Sequence, residues 1–327
     1  MLSFALAGVT LAAPSIVSAE ETQALKVSGT EALRGAKTVA IGSFNMGFIF
    51  ESTDQTKATG GMIGAFGGTT KARSELVGVT PEMMQKIADA AHADFVQQLT
   101  AAGFGVADPG QTFATAELTR AKGQAFPAEI NIELEKKSKG KAVFYKPAVL
   151  PKLVFLPGDF TGSGFSSIGA SMTAGQDSGA FSSYAKASAT PIVDVTYLVD
   201  FSDQKRPGAF SFGGLEVNAN LSVSARFSRL TVMGANGKTT TITFRDPVSV
   251  DGDFIQKSDA SSGTDKTTQA AANVAGGVAA AFGFGGMRFG KTRKFAFTAK
   301  PGNYEDGAAK AASLANGQLV GQMTALR

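Results

Sequence analysis

The chain contains no cysteine and no tryptophan, and His92 is its only histidine among 327 residues. Without cysteine there can be no disulfide, no thiolate metal site, no catalytic thiol and no acylated amino-terminal cysteine of a lipoprotein. A single histidine excludes a multi-histidine metal site and makes a Ser-His-Asp arrangement depend on His92 alone. Beyond the amino terminus no stretch reaches about 18 unbroken apolar residues, so the sequence predicts no second membrane helix.

A strong charge imbalance is also missing. The chain has 31 basic and 27 acidic residues, a net charge of +4, and the excess is spread along the sequence. A nucleic-acid partner is therefore not predicted. The densest basic runs, 135–141 and 291–294, are either solvated loops and strand ends or contacts for an anionic partner such as lipid headgroups.

The first 19 residues are almost purely apolar or small, end in Val17-Ser18-Ala19 and precede an acidic pair. This pattern predicts a signal peptide over 1–19 and a mature chain that begins at Glu20. The first basic residue is Lys26, so either the start lies upstream of Met1 or the signal is weak. A cysteine-free exported protein fits the bacterial periplasm, and we expect a periplasmic or outer-membrane-associated location. The alternative is a buried first helix of a cytosolic protein.

Two helices have clear sequence signals. The first covers 81–102, with Thr80 as N-cap, Pro81 as first helical residue and Gly103 at its end. The second closes the chain over 303–326, with Asn303 as N-cap. Weaker helical patterns cover 113–124 and 264–281.

Alternating apolar residues predict strands in several places. The segments are 38–44 with an extension at 48–50, 104–107, 192–201, 215–227, the Asn-Gly hairpin formed by 230–233 and 239–244, and 295–298. Together the patterns predict an α+β fold, a mainly antiparallel sheet with helices packed on one face.

Three glycine-rich segments, 57–71, 158–188 and 275–290, interrupt these patterns. We predict one domain over 20–327 in which they are flexible insertions, and segment 158–188 is either a mobile insertion or a segment that a partner orders. Segment 57–71 is a loop or a flexible hairpin. Small residues interleaved with Phe can also form hairpins that insert into a membrane or template assembly between chains.

Residues 285–292 match the phosphate-loop pattern, ending in Lys291-Thr292. Such a loop needs a buried strand before it and a helix after it. Here Ala/Gly sequence precedes it, and 293–299 alternates like a strand. We interpret the match as chance and predict no nucleotide.

No residue is predicted to be catalytic, cofactor-binding or metal-binding, and no cofactor is expected. Asp194 and Asp200 share a strand face about 20 Å apart, too far for a catalytic carboxylate pair at ~5 to 10 Å. The aspartates at 246, 251 and 253 either bind a hard cation such as calcium or form an exposed turn, which is the favoured interpretation. His92, at the edge of an apolar helix stripe, is interpreted as a boundary residue rather than a catalytic base.

The order of elements resembles the periplasmic domain of the curli secretion channel family (CsgG-type) and the related amino-terminal domain of TolB. The resemblance rests on TVAIGSF (38–44), the helix ending in DFVQQLTAAGF (94–104), and the strands IVDVTYLVDF (192–201) and LEVNANLSVSARF (215–227). A glycine-rich insertion lies between the two halves, where the channel family carries membrane-inserting hairpins. The resemblance implies an envelope assembly or scaffold role, as in a ring.

The sequence therefore leads us to expect a non-enzymatic scaffold or assembly protein of the bacterial envelope. Its expected partners are other envelope proteins, further copies of itself, or the outer-membrane surface, with no nucleic acid and no nucleotide. The alternative is a carboxylate-dependent periplasmic hydrolase acting on envelope glycans, which requires two acids that converge in a cleft.

Overall fold

The structure, a computed structural model, describes residues 24–57, 69–135, 138–159, 165–205, 216–261 and 291–327. The strands in these ranges are β1 (Leu25–Ser28), β2 (Thr38–Lys57), β3 (Thr69–Val77), β4 (Gly105–Val106), β5 (Ala128–Glu135), β6 (Ser138–Tyr145), β7 (Ile192–Lys205), β8 (Glu216–Val223), β9 (Arg229–Met233), β10 (Thr239–Phe244), β11 (Val248–Val250), β12 (Ile255–Asp259) and β13 (Lys291–Ala299). The helices are α1 (Pro81–Ala101), α2 (Pro109–Phe113), α3 (Ala116–Thr119), α4 (Phe165–Ser188) and α5 (Asn303–Ala325).

The strands form one large sheet in the order β1-β10-β9-β7-β2-β3-β13-β12, with shorter strands beside this path. β2 is the central strand: it pairs in parallel with β7 and antiparallel with β3 and β6. Most pairs are antiparallel, and helices pack on the sheet. The chain therefore has the α+β architecture that the sequence patterns predict.

The two helices with clear sequence signals, α1 and α5, lie against each other on one face of the sheet. Thr80 caps α1 by accepting a hydrogen bond from the Met83 N–H at 3.3 Å. Below the helices, the Phe44 ring meets the ring of Phe95 at 5.7 Å, and the Tyr197 hydroxyl donates to Asn316 Oδ1 at 2.7 Å. These contacts bury the apolar side of the sheet.

The N-cap of α5 differs from the prediction by one residue. Gly302 is the cap, with φ of 82°, and its N–H donates to the Glu305 carboxylate at 2.7 Å. Asn303 is instead the first helical residue.

Segment 158–188 contains a helix where its composition predicts a flexible insertion. α4 covers Phe165–Ser188 and packs on the opposite face of the sheet from α1 and α5. The Phe181 ring lies where a Cβ on Gly42 would come within 2.5 Å of it, so the glycine allows the helix to approach. The carboxylate of Asp177 accepts from the N–H groups of Lys122 and Gly123 at 2.6 and 3.1 Å, which fastens α4 to the neighbouring loop. A few anchoring contacts order a segment whose overall composition is weakly hydrophobic.

Two other predictions need correction. The predicted helix over 113–124 is too long: α3 covers only Ala116–Thr119, α2 ends at Phe113, and the chain turns at Gly123 with φ of 66°. The predicted strand 215–227 is described from Glu216 and ends at Val223, because β7 changes its partner there from β8 to β9. In the turn between β8 and β9, the Ser224 N–H donates to Leu198 O at 2.8 Å, and the Leu198 N–H donates to Ser228 Oγ at 2.9 Å.

The remaining strand predictions are confirmed at the level of the element. The Asn-Gly hairpin joins β9 and β10, and β13 includes 295–298. β2 and β3 pair up to Lys57 and Thr69, so the strands that flank the first glycine-rich segment form a hairpin. The predicted helix at 264–281 and the glycine-rich segment 275–290 lie outside the described residues.

Candidate functional site

Polar side chains occupy adjacent positions on three neighbouring strands, on the face below α4. The strand register places Ser43, Asp194 and Thr231 in one row across β2, β7 and β9. A second row contains Asn45, Thr196 and Arg229. Apart from Arg229, whose side chain is 16% exposed, all of these residues are buried. A polar patch in this position requires internal partners, because burial of unpaired polar groups is costly.

The centre of this patch is a pair of carboxyl groups, Asp194 and Asp159. Both are 0% exposed. Ser43 Oγ donates to Asp194 Oδ1. Asp159 accepts from Arg229 Nε at 2.8 Å and from the Leu156 N–H at 2.5 Å. Arg229 and Asp159 thus form a buried ion pair with Asp194 beside them, and we call these three residues the buried acid pair with its arginine.

The surroundings of the acid pair raise the pKa of both carboxyls. Burial raises the pKa of Asp194 well above its usual range, and the neighbouring Asp159 raises it further. Burial also raises the pKa of Asp159, although Arg229 opposes this. The positive charge of Arg229 lowers the pKa of each carboxyl and so favours its charged form.

The segment that covers the pair is fixed by several contacts. Asn45 Nδ2 donates to Val154 O at 2.6 Å and to Thr196 Oγ1 at 3.1 Å. Arg229 also donates to Pro157 O at 2.6 Å. Gly158 has φ of 92°, and a Cβ there would lie 2.6 Å from the guanidinium. The backbone of 154–158 thereby closes over the polar patch, and glycine is needed at its turn.

Three side-chain oxygens of the patch have no hydrogen-bond partner among the described residues: Asp194 Oδ2, Asn45 Oδ1 and Thr231 Oγ1. Each of these buried oxygens can accept a further hydrogen bond. The unit therefore offers hydrogen-bond acceptors and titratable carboxyls inside a site whose carboxyls do not contact solvent.

A second pair of acids lies farther along the same strands. Burial raises the pKa of Asp200 to about 6, and the charge of Asp54 contributes to the rise. Asp200 accepts from the Ser202 N–H at 3.1 Å, and Asp54 accepts from Ser52 Oγ at 3.3 Å. The charge of Asp200 and, more strongly, burial raise the pKa of Tyr304 on α5.

These pairs resolve the question that the sequence raised about Asp194 and Asp200. Asp194 interacts with Asp159, whereas Asp200 interacts with Asp54. Sequence reasoning selected Asp194 but missed Asp159 and Arg229. A usable signal was present: Asp194 and Thr196 interrupt an otherwise apolar strand, so a buried partner had to come from elsewhere in the chain.

His92 lies on the other side of the sheet from Ser43 and Asp194. Its ring meets the edge of Phe44 at 5.5 Å, and its Nε2 has no partner among the described residues. Burial lowers its pKa to about 4. Because successive residues of a strand face opposite sides, Phe44 points toward the histidine and Ser43 points away from it. The three residues therefore do not form a Ser-His-Asp triad.

The other motifs do not assemble into a site. Asp253 pairs with Lys300 at 2.5 Å. Within the described ranges no group of three or more His, Asp or Glu side chains is placed to hold a metal ion. Lys291 and Thr292 begin strand β13, whereas a phosphate loop would require a helix there. Residues 285–290 of that match lie outside the described residues.

One end of the sheet, which we call the distal end, gathers four chain connections. β2 joins β3 through 58–68, β5 joins β6 through 136–137, β7 joins β8 through 206–215, and β12 joins β13 through 260–290. The parallel pairing of β2 with β7 and of β3 with β13 places all four connections at the same end. Three of their sequences contain Phe-Gly-Gly, at 66–68, 212–214 and 284–286.

In the described part of the chain, none of the helices has the length and hydropathy required to cross a membrane. Comparisons with protein-family models, with curated proteins and with solved structures find no match to this chain.

Proposed function

We propose that the chain is an exported protein of the bacterial cell envelope with a non-enzymatic scaffold or assembly role. Its partners are other envelope proteins or further copies of itself. The observation that carries the proposal is the distal end, where the strands that flank four connections from distant parts of the sequence come to an end. Three of these connections share a Phe-Gly-Gly sequence.

The sheet suits such a role because its two ends have different properties. One end is covered by α1, α5 and α4 and holds a continuous core. The distal end brings together Phe-containing connections in a chain where Phe supplies 25 of the aromatic residues and Tyr only four. Phe interleaved with small residues is a composition suited to contact with a membrane or a second chain. The apolar segment 1–19 supports export.

A carboxylate-dependent hydrolase is the second candidate, because Asp159 and Asp194 do converge. Their complete burial opposes this function, since a glycan could not contact either carboxyl while 154–158 covers them. The test is lytic activity of the purified protein on cell-wall glycan, with the Asp159→Asn and Asp194→Asn variants as comparisons. Activity that depends on both acids would favour the hydrolase.

The main test is fractionation of cells that express the full chain, combined with the mass and the native size of the mature protein. We expect a product that begins at Glu20, in the periplasmic or outer-membrane fraction, with a native size above that of one chain. An unprocessed, monomeric protein in the cytosol would overturn the proposal.

Matched phenylalanine variants test the distal end itself. Replacement of Phe66, Phe212 and Phe284 by Ser should abolish assembly or membrane association while leaving the fold intact. The control is Phe126→Ser, which changes an exposed Phe on a loop that does not belong to the distal end. If both variants behave as the native chain does, these connections are not the interaction surface.

A further inference from the structure

Basic side chains form a band across the outward face of the sheet near the distal end. The strand register sets one row of residues across β6, β2, β3 and β13: Lys139, Thr53, Arg73 and Lys294. Lys71 lies on the same face as Arg73, two residues closer to the distal end. We call Lys71, Arg73, Lys139 and Lys294 the basic band. The sequence runs 135–141 and 291–294, far apart in the chain, each contribute one member.

The band faces solvent, and the opposite face of the same strands faces the core. All four basic side chains are exposed. The residues that alternate with them, such as Ala72, Ser74 and Phe295, are buried. With strands about 4.8 Å apart, the row from Lys139 to Lys294 is roughly 15 Å wide. Such a width matches an extended surface better than one small anion.

Acidic residues on the same face, such as Glu51 and Glu75, offset part of this charge. Glu51 pairs with Arg73 at 3.1 Å, and Glu129 pairs with Lys141 at 2.7 Å. Both carboxylates lie farther from the distal end than the band's outermost residue, Lys71. These pairs are exposed and are expected to contribute little to stability.

The register also sets two like charges side by side. Arg73 and Lys294 are direct neighbours across the pair formed by β3 and β13. Both side chains are exposed, so they add to the positive charge of this face, which an external anionic partner would complement.

We infer that the basic band docks the protein on the anionic headgroup surface of a phospholipid membrane. The choice of a membrane rests on the proposed envelope function and on the position of the band beside the Phe-containing connections. Charge complementarity then places the outward face of the sheet, near its distal end, against the bilayer. Nucleic acid is disfavoured because the basic excess of the whole chain is small and dispersed.

The experiment measures binding of the mature chain, residues 20–327, to sedimented vesicles. The vesicles consist of phosphatidylcholine alone or mixed with phosphatidylglycerol, at low and at physiological salt. We expect binding to the anionic vesicles that weakens as salt rises. The variant with Lys71→Gln, Arg73→Gln and Lys139→Gln should bind about fivefold more weakly per charge removed, on the order of a hundredfold in total.

The matched control replaces three exposed lysines outside the band, Lys86, Lys238 and Lys310, by Gln. It has the same net charge as the band variant and should retain most of the native binding. Equal loss in both variants would overturn the inference, as would equal native binding to neutral vesicles. Capture by a soluble polyanion such as heparin, without binding to vesicles, would also overturn it.

Failure of the inference can be distinguished from failure of the proposed function. A protein that is exported and assembled but ignores anionic vesicles contradicts only the membrane inference. A cytosolic protein that still binds these vesicles through the band contradicts the envelope role and leaves the docking surface in place.

Discussion

The two ends of the central sheet differ in whether their charged side chains are buried or exposed. Beneath α4, Asp159, Asp194 and Arg229 are enclosed, and Asp159 is hydrogen-bonded to Arg229 whereas Asp194 is hydrogen-bonded to Ser43. At the distal end the basic side chains are exposed to solvent on the outward face. Buried charges fix a geometry, because loss of one partner leaves another uncompensated, whereas exposed charges affect the fold little and remain available to a partner.

The largest expected effect is at the buried end. Arg229→Ala should lower the free energy of unfolding by about 3 to 5 kcal/mol, because two buried acids lose their only described cation. Chemical denaturation at neutral pH measures the change. The control, Arg34→Ala, removes an arginine that is 73% exposed in its pair with Glu31 and should cost less than about 1 kcal/mol. Similar costs for both variants would contradict the contrast between the two ends.

On the other face of the sheet, substitution of His92 tests how burial of a titratable group affects stability. Its pKa falls from 6.5 to about 4 in the folded state, so its contribution to stability is complete above pH 6.5 and is lost as the pH falls toward 4. This difference between the two pKa values corresponds to roughly 3 kcal/mol of unfolding free energy. His92→Leu should remove this part of the acid sensitivity, as measured by unfolding free energies at pH 7 and pH 4.5. His92 is the only histidine, so an unchanged difference would show that its burial does not control the response.

Asp194→Asn should change the free energy of unfolding less than the preceding variants do. Its effect should depend on pH in the direction opposite to that of His92→Leu. The pKa of Asp194 is raised in the folded state, so its contribution is complete below the unfolded pKa of about 3.9 and is lost as the pH rises through the folded pKa. Asn resembles the protonated acid and should make the protein relatively more stable at pH 8 than at pH 5, compared with the native chain. Asp251→Asn, at an exposed position, is the control and should leave the profile unchanged.

The smallest effect on stability is expected at the distal end. Lys71→Gln and Lys139→Gln should each change the free energy of unfolding by less than about 0.5 kcal/mol, because both side chains are exposed. The same denaturation assay measures this. A large loss of stability would show that the band belongs to the fold rather than to an interaction surface.

Local signals in the sequence were sufficient for much of the fold. Thr80 and Pro81 mark the start of α1, and Asn236-Gly237 marks the hairpin of β9 and β10. Such signals act within a few residues, so they can be recognised without knowledge of the rest of the chain. The strand containing Asp194 was also predicted, together with the polarity of that position.

The parts that sequence reasoning missed depend on distant contacts. Asp159 and Asp194 are 35 positions apart, and only the folded chain places them beside Arg229. The order in α4 comes from the packing of its Phe181 on the sheet and from the hydrogen bonds that its Asp177 accepts from the loop at Lys122 and Gly123, not from its weakly amphipathic sequence. Likewise, the basic band becomes visible only when the strand register sets Lys139 and Lys294 in one row.

β2 connects both ends, because its 20 residues run from the helix-covered core to the distal end. Around Met46 to Phe48 it is paired on both sides, by β7 and by β6, whereas its last residues up to Lys57 have β3 as their described partner. Amide hydrogens near Phe48 should therefore exchange with solvent only when the whole molecule unfolds, and those near Lys57 through local opening. Hydrogen exchange along this one strand would thus give a continuous measure of how far the rigid part of the protein extends.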